Sequence, residues 1–148
     1  IYRLPPDQVT ADLNAVAGYT ATLPACNGKV AVAGFCWGGA QAFRFATETA
    51  SLAAAFVFYG TGPDTKEAVE RIQCPVYGFY GGNDARVNLT LEKTSGLMKQ
   101  AGKSFEPMTY EGAGHGFMRT GEAPDASAAN KKARDEAWSR LETLLSKL

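Results

Sequence analysis

Three residues in this chain have the chemistry to act together on one carbonyl carbon: the thiol of Cys36, the imidazole of His115 and the carboxylate of Asp84. Cys36 stands in Gly34-Phe35-Cys36-Trp37-Gly38, a glycine–x–nucleophile–x–glycine run. Such a run sets a nucleophile on a sharp, strained turn between a strand and a helix. The two glycines are expected to remove side chains that would collide with the neighbouring strand and helix. The amino terminus of the following helix brings positive potential and N–H groups to the sulfur and favours the thiolate. The N–H of Trp37 is the expected first half of an oxyanion hole.

His115 is the only histidine of the chain, so a base drawn from these residues must be this one. It lies in Gly112-Ala113-Gly114-His115-Gly116, where glycines let a loop reach over the nucleophile without steric obstruction. Asp84 ends Gly81-Gly82-Asn83-Asp84 and suits a carboxylate that fixes the imidazole tautomer and stabilises the imidazolium. Each residue also has an ordinary use: a core cysteine, a surface histidine, a turn aspartate. Chain order favours the chemical reading, because nucleophile, acid and then histidine is a recurrent triad order. Asp64, in a Pro-Asp turn, and Glu111, too close to His115 in sequence, fit the acid role less well. Cys26 and Cys74 have neither elbow nor base and are expected to be inert. The three cysteines show no metal-ligand spacing and predict no disulfide framework.

These residues need a scaffold that brings them to one edge. The pattern from Pro5-Pro6-Asp7 predicts a helix with Val9, Leu13, Val16, Thr20 and Leu23 on one buried stripe, ended by Pro24 and Asn27-Gly28. Residues 29–33 read as a strand buried on both faces, 40–49 as an alanine- and aromatic-rich helix, 53–59 and 75–80 as further buried strands. The charged segment 66–71 suits a short helix, and 89–101 a longer one with Leu97, Met98 and Ala101 inward and Gly102 as its cap. Residues 104–110 read as a fourth strand. The last helix, about 126–148, carries Ala133, Ala137, Leu141, Leu144, Leu145 and Leu148 on one face. Alternating strands and helices predict an α/β fold, a mostly parallel sheet with helices on both faces. The three chemical residues then emerge at the carboxyl edge of that sheet, where such folds place ligands.

The bulk numbers set limits. The chain has 148 residues, 45% hydrophobic and 20% charged, and reads as a single domain over residues 1–148. Fifteen basic residues balance fifteen acidic ones, so no net field draws the chain to nucleic acid or an anionic membrane. No apolar run approaches the ~20 residues needed to span a bilayer. The chain opens Ile1-Tyr2-Arg3 with no leader pattern. A start at Ile suggests a fragment or a processed form, truncated at the amino terminus, and the expected compartment is the cytoplasm.

With these motifs in place, the sequence resembles the dienelactone hydrolase (carboxymethylenebutenolidase) family of the α/β-hydrolase superfamily. The resemblance runs through GFCWGG at 34–39, Tyr59-Gly60, GGND at 81–84 and GAGHGFMRTG at 112–121. It implies hydrolysis of an enol-lactone, dienelactone to maleylacetate, by a Cys36–His115–Asp84 triad through an acyl-enzyme, with no metal or organic cofactor. It also implies that Arg119 binds the substrate carboxylate and that Tyr59 lines the pocket. Two positions depart from the family pattern: Gly116 replaces a serine, and Trp37 a smaller apolar residue. Family members are also longer. The resemblance therefore places the second oxyanion donor, another substrate arginine and a glutamate near the nucleophile in amino-terminal strands absent from this chain. An exposed sheet edge is expected, covered by an upstream segment or by self-association. Other readings of the same residues are a broader carboxylesterase of small esters, a non-catalytic or inactive hydrolase-fold domain, and thiol redox chemistry at Cys36. The last lacks a resolving cysteine near in sequence.

Overall fold

The structure is a computed structural model and describes residues 4–148. Ten elements follow in order: α1 (Pro6–Ala21), β1 (Val30–Phe35), α2 (Trp37–Glu48), β2 (Leu52–Phe58), α3 (Lys66–Glu70), β3 (Val76–Gly81), α4 (Ala85–Gln100), β4 (Phe105–Tyr110), α5 (Phe117–Thr120) and α6 (Ala128–Leu145). The four strands pair in parallel in the order β1-β2-β3-β4. Parallel neighbours need crossovers, and α2, α3 and α4 supply them. Crossovers of one hand in a sequential sheet put their helices on one face. That face is packed by Phe43 and Phe45 of α2, Val69 of α3 and Met98 of α4 against Val57 and Val76. The opposite face is covered by α5 and α6 through Phe117, Ala133, Ala137, Leu141 and Leu144. An α/β fold with helices on both faces is therefore what the chain forms.

Packing beneath the carboxyl edge is aromatic. Phe35, Phe58 and Phe79 stand in register on three adjacent strands. Their rings stack at 4.5 and 4.2 Å between centroids. The Arg140 guanidinium closes the row 4.5 Å above the Phe79 ring and donates to the carbonyls of Gly78 (2.7 Å) and Glu106 (2.8 Å). Each such aromatic contact adds about 0.5–1.5 kcal/mol beyond area burial and stiffens the strand ends.

Several boundaries differ from those the sequence predicts. The helix α1 forms, but Val9 is its only buried side chain; Leu13 and Ala17 are half-buried and Val16 is 62% exposed. Leu23 lies past its end. A helix packed along one side of α2 offers no surface for the whole predicted stripe. Strand β1 runs on to Phe35 and is not buried on both faces, because the helices packed over the sheet leave its outer end only partly covered; Phe35 is 43% exposed. Helix α2 begins three residues earlier than expected, directly after Cys36, and α4 four residues earlier, directly after Asp84. The short helix at 66–71 is present as α3, while α5 carries no sequence signal long enough to read. Gly102, at φ 64°, does terminate α4: its N–H donates to Lys99 and that of Lys103 to Met98. Leu145 points outward, against expectation, whereas Ala133, Ala137, Leu141 and Leu144 are buried. No helix among the described residues is long and apolar enough to cross a membrane.

Candidate active site

Cys36 joins β1 to α2 with φ 55° and ψ −120°, a conformation that L-residues avoid. It is held there by its N–H, which donates to the Phe58 carbonyl at 3.0 Å, and by its own carbonyl, which accepts from Ala40 at 3.2 Å. The turn is tight enough that a Cβ on Gly34 would lie 1.9 Å from the Gly38 carbonyl oxygen. The second glycine of the motif behaves differently: a Cβ on Gly38 meets nothing within 4 Å. The close approaches on the helix side fall instead at Gly39 and Gly60, where an added Cβ would sit 2.6 Å from the Phe58 oxygen and 2.3 Å from Ala40 N. These two let α2 and the end of β2 touch backbone to backbone, which sets the direction in which Cys36 projects.

Asp84 divides its two carboxylate oxygens between two tasks. Oδ1 accepts from the Val87 N–H (3.4 Å) and caps α4, and Oδ2 accepts from His115 Nδ1 at 2.5 Å. The Asp84 side chain is 5% exposed and that of His115 35%, so the acid is sealed below and the imidazole reaches the surface. With Nδ1 engaged by the carboxylate, Nε2 is the nitrogen left for the cleft.

The histidine loop is sewn to the end of β3. Gly82 N donates to Tyr110 O, Asn83 N to Ala113 O and Asn83 Nδ2 to Gly112 O. Gly81 is required for this closure, since a Cβ there would stand 2.6 Å from the Gly114 oxygen. From the far side Asn130 of α6 accepts from the Gly114 N–H (3.0 Å) and donates to Thr120 (3.1 Å). Gly116 begins α5 at φ 74°, so the glycine that departs from the family pattern sits where a side chain would be strained.

Cys36 and His115 line the same two clefts, together with Tyr59. The larger, about 460 Å³, is otherwise walled by Phe35, Gly116, Met118, Arg119, Glu122 and Trp138. The smaller, about 240 Å³, is walled by Trp37, Thr61 and Arg86. Among the described residues the Cys36 thiol makes no hydrogen bond; it shares both clefts with the imidazole, whose Nδ1 is bonded to Asp84. Tyr59, itself at φ 41°, packs edge-on to His115 (5.1 Å) and Phe117 (5.3 Å). Burial first and the nearby Cys36 charge second push its phenol well above the usual value, while Arg119 opposes them. It therefore stays a neutral O–H beside the sulfur.

All the residues expected from sequence thus gather at one edge: Cys36, Trp37 and Tyr59 at the ends of β1 and β2, Asp84 after β3, His115 and Arg119 after β4. Arg86, Thr61 and Asn130 escaped the sequence reading. The only available signal for Arg86 was its place two residues after Asp84.

The profile of the Dienelactone hydrolase family matches residues 3–148. The chain belongs to the dienelactone hydrolase family. A “Putative carboxymethylenebutenolidase” of Saccharolobus solfataricus is 34% identical over 117 residues, 79% of this chain and 44% of that protein. The carboxymethylenebutenolidase of Pseudomonas sp. strain P51 is 30% identical over 136 residues, 90% of this chain and 56% of that protein. Among solved structures, a “Putative Dienelactone Hydrolase” from Klebsiella pneumoniae superposes with a TM-score of 0.85 at 25% identity, covering 99% of this chain and 64% of its own. The chain thus spans about half the length of the curated dienelactone hydrolase relatives it matches.

Proposed function

We propose that this chain carries the nucleophile, base and acid of a dienelactone hydrolase-type enzyme that opens an enol-lactone through a thioester. The observation that supports this most is the strained Cys36 elbow sharing a cleft with an imidazole whose Nδ1 a buried Asp84 holds at 2.5 Å. In this reading the Cys36 thiolate adds to the lactone carbonyl carbon, and the Trp37 N–H, first amide of α2, donates to the resulting oxyanion. The ring C–O bond breaks, and the enolate leaves with the proton that His115 Nε2 took from the Cys36 thiol, becoming a ketone and leaving the imidazole neutral. His115 Nε2 then draws a proton from water, which adds to the thioester and expels the thiolate, giving the free acid. Asp84 keeps Nδ1 protonated and stabilises the imidazolium. Arg119 pairs with the substrate carboxylate, and a guanidinium does so bidentately. For dienelactone the product is maleylacetate. No cofactor enters this scheme.

Cys36→Ala is expected to lower kcat by at least about 10³-fold on dienelactone, as loss of a covalent nucleophile does, with an unchanged melting temperature. Activity near wild type in that variant would remove the assignment. Arg119→Ala is expected to raise KM for the anionic lactone more than for a neutral aryl ester. The same reading covers partners: a small ester or lactone as substrate, and a second copy of the chain against the β1 edge, where Phe35 lies open.

A further inference from the structure

Two clefts meet at Cys36, and each has one guanidinium in its wall: Arg119 in the apolar cleft beside Trp138, Arg86 in the polar cleft beside Thr61 and Trp37. No carboxylate lies within ion-pair distance of either arginine among the described residues. Glu122, which also reaches the Arg119 cleft, is engaged by Arg134 at 3.0 Å. Arg86 stands in the first turn of α4, where the helix dipole disfavours a cation. Its charge there does nothing for the helix and adds to the positive potential of the cleft. Cys36, Tyr59 and His115 line both clefts, so an ester at the nucleophile has one cleft open to its acyl part and another to its alkoxy part.

We propose that Arg86 is a second anion anchor, so that the preferred substrates are esters or lactones with acidic groups on both sides of the scissile carbonyl. This rests on Cys36 being the nucleophile, and its tests separate the two ideas. The first needs no turnover. The Cys36 thiolate displaces iodide from iodoacetate or from neutral iodoacetamide, and the rates are read on the Cys36 peptide by mass spectrometry, apart from Cys26 and Cys74. The iodoacetate-to-iodoacetamide ratio should fall about fivefold in Arg86→Ala, the size of effect one nearby charge has at a half-exposed site, and recover in Arg86→Lys. An unchanged ratio overturns the proposal.

The second test uses four chromogenic esters: 4-nitrophenyl acetate, mono-4-nitrophenyl fumarate, the acetate ester of 5-hydroxy-2-nitrobenzoic acid, and the fumarate half-ester of that acid. Relative to the neutral acetate, Arg86→Ala should lower kcat/KM about tenfold, mainly through KM, for one of the two singly charged esters. Arg119→Ala should do so for the other, and both variants should weaken the doubly charged ester. If the two variants penalise the same singly charged ester, there is one anion site and the proposal fails. If Cys36→Ala still hydrolyses these esters, the nucleophile assignment fails, while the alkylation ratio still reports on Arg86.

Discussion

Asp84 does more than a turn aspartate or a triad acid would do alone, because its two oxygens serve a helix cap and an imidazole at once. The two tasks respond differently to substitution. Asparagine can still cap α4 but presents an N–H or a weaker acceptor to Nδ1, so Asp84→Asn should keep its melting temperature while kcat falls about 10³–10⁴-fold. Alanine removes both, and Asp84→Ala should in addition unfold with about 1 kcal/mol less stability. Paired kcat and denaturation measurements on both variants check this; equal stability of the two would show that the cap contributes nothing. The elbow glycines make a second contrast. Gly34→Ala forces a methyl into the Gly38 carbonyl and should cost about 3 kcal/mol or more, whereas Gly38→Ala meets open space in a helix and should stabilise by about 0.5–1 kcal/mol. Urea melts of the two proteins decide it.

At the level of elements, the site is a meeting of strand ends and helix starts. β1 delivers Cys36 straight into α2, and β3 delivers Asp84 straight into α4, so each chemical group is fixed by hydrogen bonds on both sides. His115 has no such junction. Its loop is positioned by Gly81 below and by Asn130 of α6 from the side. Asn130→Ala should therefore lower kcat about tenfold or more, since a loop free to shift by an ångström misplaces the base, with little change in far-ultraviolet dichroism. A variant with wild-type kcat would show that the β3 contacts alone suffice.

For the molecule as a whole, three tyrosines report on how well the core excludes water. Burial raises the phenols of Tyr59, Tyr80 and Tyr110 above the ordinary value. Below about pH 10 folded and unfolded chains hold the same phenolic protons, and these groups contribute no pH dependence. Above it the unfolded chain ionises while the folded chain does not, so stability should fall as pH rises beyond 10. Urea midpoints at pH 9 and 11 measure this, and Tyr80→Phe should flatten the fall. That variant should also be at least as stable at neutral pH, because the buried Tyr80 hydroxyl has no hydrogen-bond partner among the described residues. The open β1 edge predicts a second global property. The 148-residue chain should self-associate at micromolar concentration, and Ala33→Lys, a charge on the edge strand, should shift light-scattering mass toward the monomer.

Much of this was legible from the residues in order. Cys36, Asp84 and His115 could be named because each follows a run of strand-forming residues in a glycine-rich turn, and a parallel sheet sends all such turns to one edge. Local pattern carries that information. The glycine roles did not follow the motif: Gly39 and Gly60, not Gly38, make the close approach, since backbone contact between α2 and β2 depends on how the helix lies on the sheet. The exposure of β1 and of Val16 had the same origin, because an apolar residue is buried only if something packs over it. Arg86 and Asn130 were invisible for a related reason. A guanidinium in the wall of a cleft and an amide behind a loop are defined by partners far along the chain, and spacing in sequence holds no record of them. The elbow at Cys36 was therefore readable from the sequence, but the two clefts that meet there, each with its own guanidinium, belong to the folded chain alone.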